Sequence, residues 1–417
     1  MCSTRHVCGR FKPPGIRPGA GDFLPNRINH DETEASEEAT TTASAVTPPS
    51  VWLLMGNRAG DNSQVKGLGE ALGWPFEEKH FEFQSYEKFV NLPWGAHLMG
   101  IVKKRSAPLC APWPDLVISA GRKNEPIARY IQARAMAEEG NRTRLIHIGR
   151  PWAAPTNWDL IITTPQYRLP QDPNILHNDT PLHRVTRERL DEDAKLWADR
   201  VADLPRPLIA VLCGGSSGPY PFDRASGERL ATAADTLAKE LGGSLLVTTS
   251  KRTLEETTEA LFGGIKSPSI LYRWKPGDPD NPFFAFLGLA DRVIVTADSV
   301  SMMAESCVPE RPVYLYDTGE GMTSMKDNPW LDGQRGAKAK AGDPKVGFSR
   351  SHLKAHIYRF AMRVGPQRIT RDIRIVQQLL IDTKRAVWLG DGHPEPSPPP
   401  LEDMGRAVVR VKELFGA

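Results

Sequence analysis

The chain has 417 residues, 40% hydrophobic and 25% charged, too many for one ordinary core and suited to two domains with extras. Its formal net charge of +3 is too small to argue a nucleic-acid partner, and no apolar run approaches the ~18 residues of a membrane span. The start, MCSTRHVCGRFKPPGIRPGAG, has no apolar core, so a secretory signal is not expected; Pro13, Pro14 and Pro18 argue against an amphipathic transit helix.

Residues 1–50 read as a disordered extension, because DETEASEEATTTASAVTPPS is acidic, polar and poor in large apolar groups. Order is expected to begin at VWLLM (51–55), followed by the loop GNRAGDNSQ and a helix over 62–72. The same strand–loop–helix rhythm returns with LVIS (116–119), the loop at 120–124 and a helix from Glu125. RLIHI and DLIIT predict two more strands, and the Pro-dense residues 165–181 read as irregular surface chain. A polar helix over 188–201 closes a first domain, 51–204, at Leu204-Pro205-Arg206-Pro207.

The rhythm then restarts: strand PLIAVL, helix 225–241, strand SLLVTTS, helix 253–262, strand SILYRW, helix 282–289, strand RVIVT, a helix opening at Asp298–Ser299, and strand PVYLY. Strands alternating with helices imply parallel sheets covered on both faces. The predicted class is therefore α/β, two doubly wound Rossmann-like domains facing a cleft, the second over 205–330. Residues 331–390 read as a Lys/Gly-rich loop at 333–347 and a basic helical region at 351–385; residues 391–417 read as a Pro-rich linker and an amphipathic helix with Met404, Val408, Val411 and Leu414 on one face.

In doubly wound sheets ligands bind beyond the carboxyl ends of the strands. The loops there carry the candidate chemistry. VTADSVSMMAES (295–306) offers a helix start for a phosphate, with Ser299 and Ser301, and Glu305 seven residues beyond Asp298 as an acceptor for ribose hydroxyls. CGGSSGPYPF supplies Gly214, Gly215 and Ser216; TTSKRT supplies Ser250, Arg252 and Thr253, Arg252 being the bidentate donor for a diphosphate. Tyr272 and Trp274, ending SILYRW, are placed to flank a base. On the first half, Asp61 reads either as a helix cap or as a general base, and Arg58, Arg122, Lys123 and Arg150 rim the cleft as anion-binding cations. Each of these groups also has an ordinary reading as a turn, a cap or a solvated charge.

There is no HExxH, Cys/His cluster, GxSxG, GxGxxG or Walker A loop, so no metal site and no bound cofactor are expected. The five cysteines include no CxxC pair; Cys213 and Cys307 read as reduced core thiols, which suits a cytoplasmic setting. FVNLPWGAHLMGIVKKR (89–105), with the basic residues 354–374, reads as a core-facing helix with a basic flank or as a peripheral membrane contact at the cytoplasmic face.

VTADSVSMMAESC, RPVYLY, TSKRT, GNRAGDNSQVKGLGEALG and ISAGRKNEPIA together resemble the elongated-mitochondria (mitochondrial fission) protein family and its bacterial glycosyltransferase-like relatives, over residues 51–316. HIGRPW and WDLIITTPQYRLP are similar to the bacterial branch; the plant members recruit a dynamin-related GTPase to mitochondria. The resemblance implies a two-domain GT-B-like fold, similar to lipid A disaccharide synthase and the peptidoglycan N-acetylglucosaminyltransferase. By that analogy Asp61, in the pattern Gly56, Gly60, Asp61, is the base and Glu305 the ribose acceptor, with no metal; the catalytic His of the peptidoglycan enzyme's first loop has no counterpart here.

The implied activity is transfer of a sugar from a nucleotide-diphosphate donor, bound by the second half, to a hydroxyl acceptor such as a lipid or envelope glycan. A non-catalytic adaptor of the same fold recruiting a membrane or GTPase partner is the second expectation; a nucleotide-sugar epimerase is a third, against which the missing GxGxxG counts.

Overall fold

The computed structural model describes residues 47–84, 95–326, 358, 371–394, 398 and 401–416. The expected disordered extension up to residue 46, the Lys/Gly-rich loop at 333–347, residues 351–370 of the basic region apart from Tyr358, and residues 89–94 of the Trp/Met stretch lie outside the described residues.

The first sheet holds β1 (Val51–Met55), β2 (Phe76–His80), β3 (Leu116–Ala120), β4 (Arg144–Ile148), β5 (Leu160–Thr163) and β6 (Ile175–His177). All pair in parallel, in the order β2-β1-β3-β4-β5-β6. VWLLM and LVISA are buried along their whole length, as a parallel strand covered on both faces requires. Alternate residues enter opposite cores: Val51, Leu53 and Met55 face α1 (Ala59–Leu72), and Trp52 and Leu54 pack with Ile127 and Ile131 of α2 (Glu125–Glu139).

The second sheet holds β7 (Leu208–Leu212), β8 (Ser244–Thr248), β9 (Ser269–Tyr272), β10 (Arg292–Thr296), β11 (Val313–Tyr316) and β12 (Val387–Trp388), parallel in the order β12-β11-β10-β7-β8-β9. Numbered from its own first strand this is the doubly wound dinucleotide-fold order, with the winding direction reversing between β7 and β10. The first sheet reverses between β1 and β3. Both sheets are thus doubly wound α/β layers, the GT-B-like arrangement expected from the sequence, and both lie within one compact unit, Pro48–Ala417.

Two helices sit across from where chain order suggests. The helix expected to close the first domain, α3 (Arg187–Val201), buries Leu190, Trp197 and Val201 in the second sheet's core, with Trp197 edge-on to Phe286 of α6 (Phe283–Leu289) at 5.3 Å. The C-terminal helix α9 (Asp403–Glu413) is amphipathic as expected, but it returns to the first sheet. Ala407 and Val411 join the core over α1, and Asp403 accepts from the amides of Asp179 (3.0 Å) and Thr180 (2.7 Å). The remaining helices of the second half are α4 (Arg224–Leu241), α5 (Glu255–Gly264), α7 (Val300–Ser306) and α8 (Arg374–Asp382).

Other expectations are corrected. Residues 165–181 contain strand β6, held to β5, although its prolines suggest irregular chain. The helix reading for 89–105 does not hold over 95–105, which shows one 3-10 turn at Lys103–Arg105 and an antiparallel bridge from Ile101 to Phe83; the small, turn-forming residues Gly95 and Gly100 break a helical period there.

Candidate functional site

The loop after β1 meets the loop after β3 at the first sheet's switch point. Asn124 binds them together, its amide nitrogen donating to Leu54 O at 3.0 Å and Ala120 O at 3.1 Å. Helix α1 starts at Ala59 and its N-cap is Arg58, with no side-chain cap bond. The cap reading of Asp61 therefore fails; Asn62 secures the turn instead, accepting from Gly56 N (2.8 Å) and donating to Gly56 O (2.9 Å). Asp61 is left with a different neighbour. Gly121 has φ +73°, and a methyl group there would come within 2.5 Å of Asp61 Oδ2, so only glycine admits the carboxylate. Burial raises the Asp61 pKa, while Arg58 and Arg371 act to lower it.

The second sheet's switch point is a closed network. Gly214 N donates to Thr296 Oγ1 at 2.7 Å and Gly215 N to Asp298 Oδ2 at 3.0 Å. Gly214 O accepts from Ser250 Oγ (2.7 Å) and Thr253 Oγ1 (2.5 Å). Arg252 pairs with Asp298 Oδ2 at 3.0 Å. The two glycines were expected to let backbone approach a ligand; instead they let Asp298 and Arg252 approach the backbone. A Cβ at Gly214 would lie 2.5 Å from Asp298 Oδ1, and one at Gly215 would lie 2.2 Å from Arg252 O. Ser216 accepts from Phe222 N at 2.9 Å. The amides of Gly214 and Gly215 are therefore committed to Thr296 and Asp298 rather than free for a ligand.

Asp298 and Glu305 do not serve one group, contrary to the helical-face expectation. Helix α7 begins only at Val300, after N-cap Ser299. Asp298 is 1% exposed and committed to Gly215 and Arg252. Glu305, five residues into the helix register from Val300, faces Arg189 of α3, and burial pushes its carboxyl up to about 8. Ser299 and Ser301 are half-buried at the helix start. Of the residues expected to flank a base, Tyr272 donates its hydroxyl to Asp278 at 2.8 Å while its ring packs on the second core, and Trp274 N donates to Thr249 Oγ1 at 2.9 Å.

Two of the four cations expected along the first half rest on aromatic rings. The Arg122 guanidinium lies 4.7 Å from the Trp152 ring and Lys123 Nζ 5.1 Å from Phe83, geometry that keeps the charge while covering the ring. Arg58 is exposed and Arg150 half-buried. A carboxylate sits among them that sequence reasoning missed: Glu125 accepts from Trp152 N (2.8 Å) and Ala153 N (3.0 Å), fixing the loop after β4. Burial pushes its pKa up to about 7.

One residue connects the two switch points, and no motif pointed to it. Arg371 Nη2 donates to Ser217 Oγ of the Gly-rich loop at 3.3 Å and acts electrostatically on Asp61. Its neighbour Asp372 is anchored to the first half: Asp372 N donates to Gln166 O at 3.1 Å, and Arg168 reaches Asp372 Oδ2 at 3.0 Å. The only sequence signal was the basic composition of the region.

Among the described residues, no group of three His, Cys, Asp or Glu side chains is arranged to hold a metal ion, and no helix is long and apolar enough to cross a membrane.

Comparison with known proteins places the chain. The mitochondrial fission protein ELM1 of Arabidopsis thaliana is 27% identical over 244 residues, 53% of this chain and 55% of that protein, so the match spans about half of the plant relative's length. An uncharacterized protein of Rickettsia prowazekii (strain Madrid E) is 18% identical over 299 residues, 64% of this chain and 82% of its own length. Among solved structures, the S. aureus MnaA–UDP co-structure aligns with 12% identity over 88% of this chain and 97% of that chain, at a TM-score of 0.41, a likeness too distant to carry a functional assignment. The family model described as mitochondrial fission ELM1 matches residues 59–327, which include Asp61, β3 and the whole second-sheet switch point but begin just after β1. The chain belongs to the mitochondrial fission ELM1 family.

Proposed function

We propose that this protein transfers a glycosyl group from a nucleotide-diphosphate sugar to a hydroxyl acceptor. The observation that carries this reading is that one residue, Arg371, touches the Gly-rich loop of the second sheet and acts electrostatically on Asp61 of the first. Ligands of doubly wound sheets bind at such points. In this reading the donor lies on the second half, with its diphosphate near Ser299, Ser301 and the loop carrying Gly214, Gly215, Ser216, Ser250, Arg252 and Thr253. A guanidinium beside that loop offsets the charge that grows on the leaving diphosphate. Glu305, protonated at neutral pH by its raised pKa, is able both to donate to and to accept from ribose hydroxyls.

Asp61 takes the acceptor's proton. It has no hydrogen-bond partner among the described residues, and its raised pKa brings it nearer to the value a general base needs at neutral pH. The acceptor enters between Asp61 and the ring-backed cations Arg122 and Lys123, with Arg58 and Arg150 at the rim; a lipid-linked acceptor fits this reading as well as a free glycan. Tyr272 and Trp274 border the base at the sheet edge. Incubation with radiolabelled nucleotide-sugar donors tests the reading. Turnover is expected, and Asp61→Asn is expected to lower kcat by about 10²–10⁴-fold without weakening donor binding. An unaltered kcat in that variant would remove Asp61 from the chemistry.

A second reading, an adaptor that keeps the fold without catalysis, is favoured by the family description. It expects no turnover with any donor and retained partner binding in the Asp61→Asn variant.

A further inference from the structure

The cation that the sequence singles out for a diphosphate is already engaged. Arg252 pairs at 3.0 Å with the fully buried carboxylate of Asp298, so the two together bring little net charge to the cleft. Arg371 differs in each respect. It is exposed, and among the described residues no carboxylate lies within ion-pair distance of its guanidinium. Its one side-chain contact there is the neutral hydroxyl of Ser217, at 3.3 Å. The backbone that carries it is held firmly by Asp372, through Gln166 O and Arg168. A guanidinium on an anchored backbone, reaching a Gly-rich loop and resting on a weak neutral partner, is arranged to exchange that partner for a phosphate, whose oxygens match its planar fork.

We propose that Arg371 is the residue that binds the diphosphate of the donor, releasing Ser217 to do so, and that Arg252 instead shapes the loop through Asp298. The assignment rests on the reading of the cleft as a nucleotide-diphosphate site. Arg371 lies outside the matched family region, so the segment beyond it supplies a substrate contact. It also ties donor to acceptor. Arg371 is one of the two cations that lower the Asp61 pKa; once it is neutralised by phosphate, Asp61 becomes the stronger base, so donor arrival readies the acceptor side.

Calorimetric titration of the full chain with inorganic pyrophosphate tests this without needing the donor's base or sugar. Wild type is expected to bind, Arg371→Gln to bind about tenfold or more weakly, and Arg371→Lys to recover part of the loss, with the ligand-free unfolding temperature unchanged in both. Arg252→Gln is expected to lose less affinity than Arg371→Gln. Wild-type affinity in Arg371→Gln with lost affinity in Arg252→Gln overturns the assignment and leaves the site reading standing. No binding of pyrophosphate, UDP, GDP or ADP by wild type overturns both.

Discussion

Asp61 and Asp298 stand at equivalent places, each at the switch point of a parallel sheet, with opposite surroundings. Asp61 lies against the bare backbone of Gly121 and keeps its oxygens available; Asp298 is enclosed by Gly215 N and Arg252. Removing the Asp298 side chain in Asp298→Ala strands a buried amide and releases Arg252, at a cost of about 1–3 kcal/mol, readable by chemical denaturation. Glu305 makes a pH-dependent contribution. Its folded pKa of about 8 lies above the ordinary 4.5, so the folded state holds the proton more tightly than the unfolded chain. That stability is fully present below about pH 4.5 and is lost as pH rises through about 8. Glu305→Gln, which carries no charge at any pH, is expected to gain in melting temperature relative to wild type between pH 5 and 9. A constant difference across that range would show that Glu305 is solvated.

Within the elements, glycines separate by what their Cβ would meet. Gly60, in the first turn of α1, has nothing within 4 Å, and Gly60→Ala is expected to stabilise by about 0.4–1 kcal/mol by lowering the entropy of the unfolded chain. Gly215→Ala would place a methyl 2.2 Å from Arg252 O, displacing the loop; it is expected to destabilise by about 1–3 kcal/mol and to weaken pyrophosphate binding. Strands such as VWLLM and LIAVL were legible because burial on both faces requires unbroken apolar residues. FEEKH was not: β2 is an edge strand with one neighbour and an exposed face, so its composition is free to be polar. The site divides in the same way. Strand ends, and with them the candidate loops, follow from local pattern. Partnerships such as Gly215 with Asp298, 83 residues apart, or Arg371 with Ser217, 154 apart, are set by sheet order, which no local pattern encodes.

For the whole molecule, the two sheets share helices across chain order: α3 completes the second core and α9 the first. The chain therefore crosses between the halves at both ends of the second sheet, and Asp372 adds a contact beside the cleft. Arg371 links Asp61 electrostatically to the Gly-rich loop, and the proposed transfer depends on a nucleotide diphosphate binding beside it. A thermal-shift series with UDP-, GDP- and ADP-sugars tests that dependence most directly. One nucleotide class is expected to raise the melting temperature in a concentration-dependent way, corresponding to about 2.7 kcal/mol at a hundredfold excess over Kd, and to do so less in Arg371→Gln; an unchanged melting temperature with all three at millimolar concentration would contradict it.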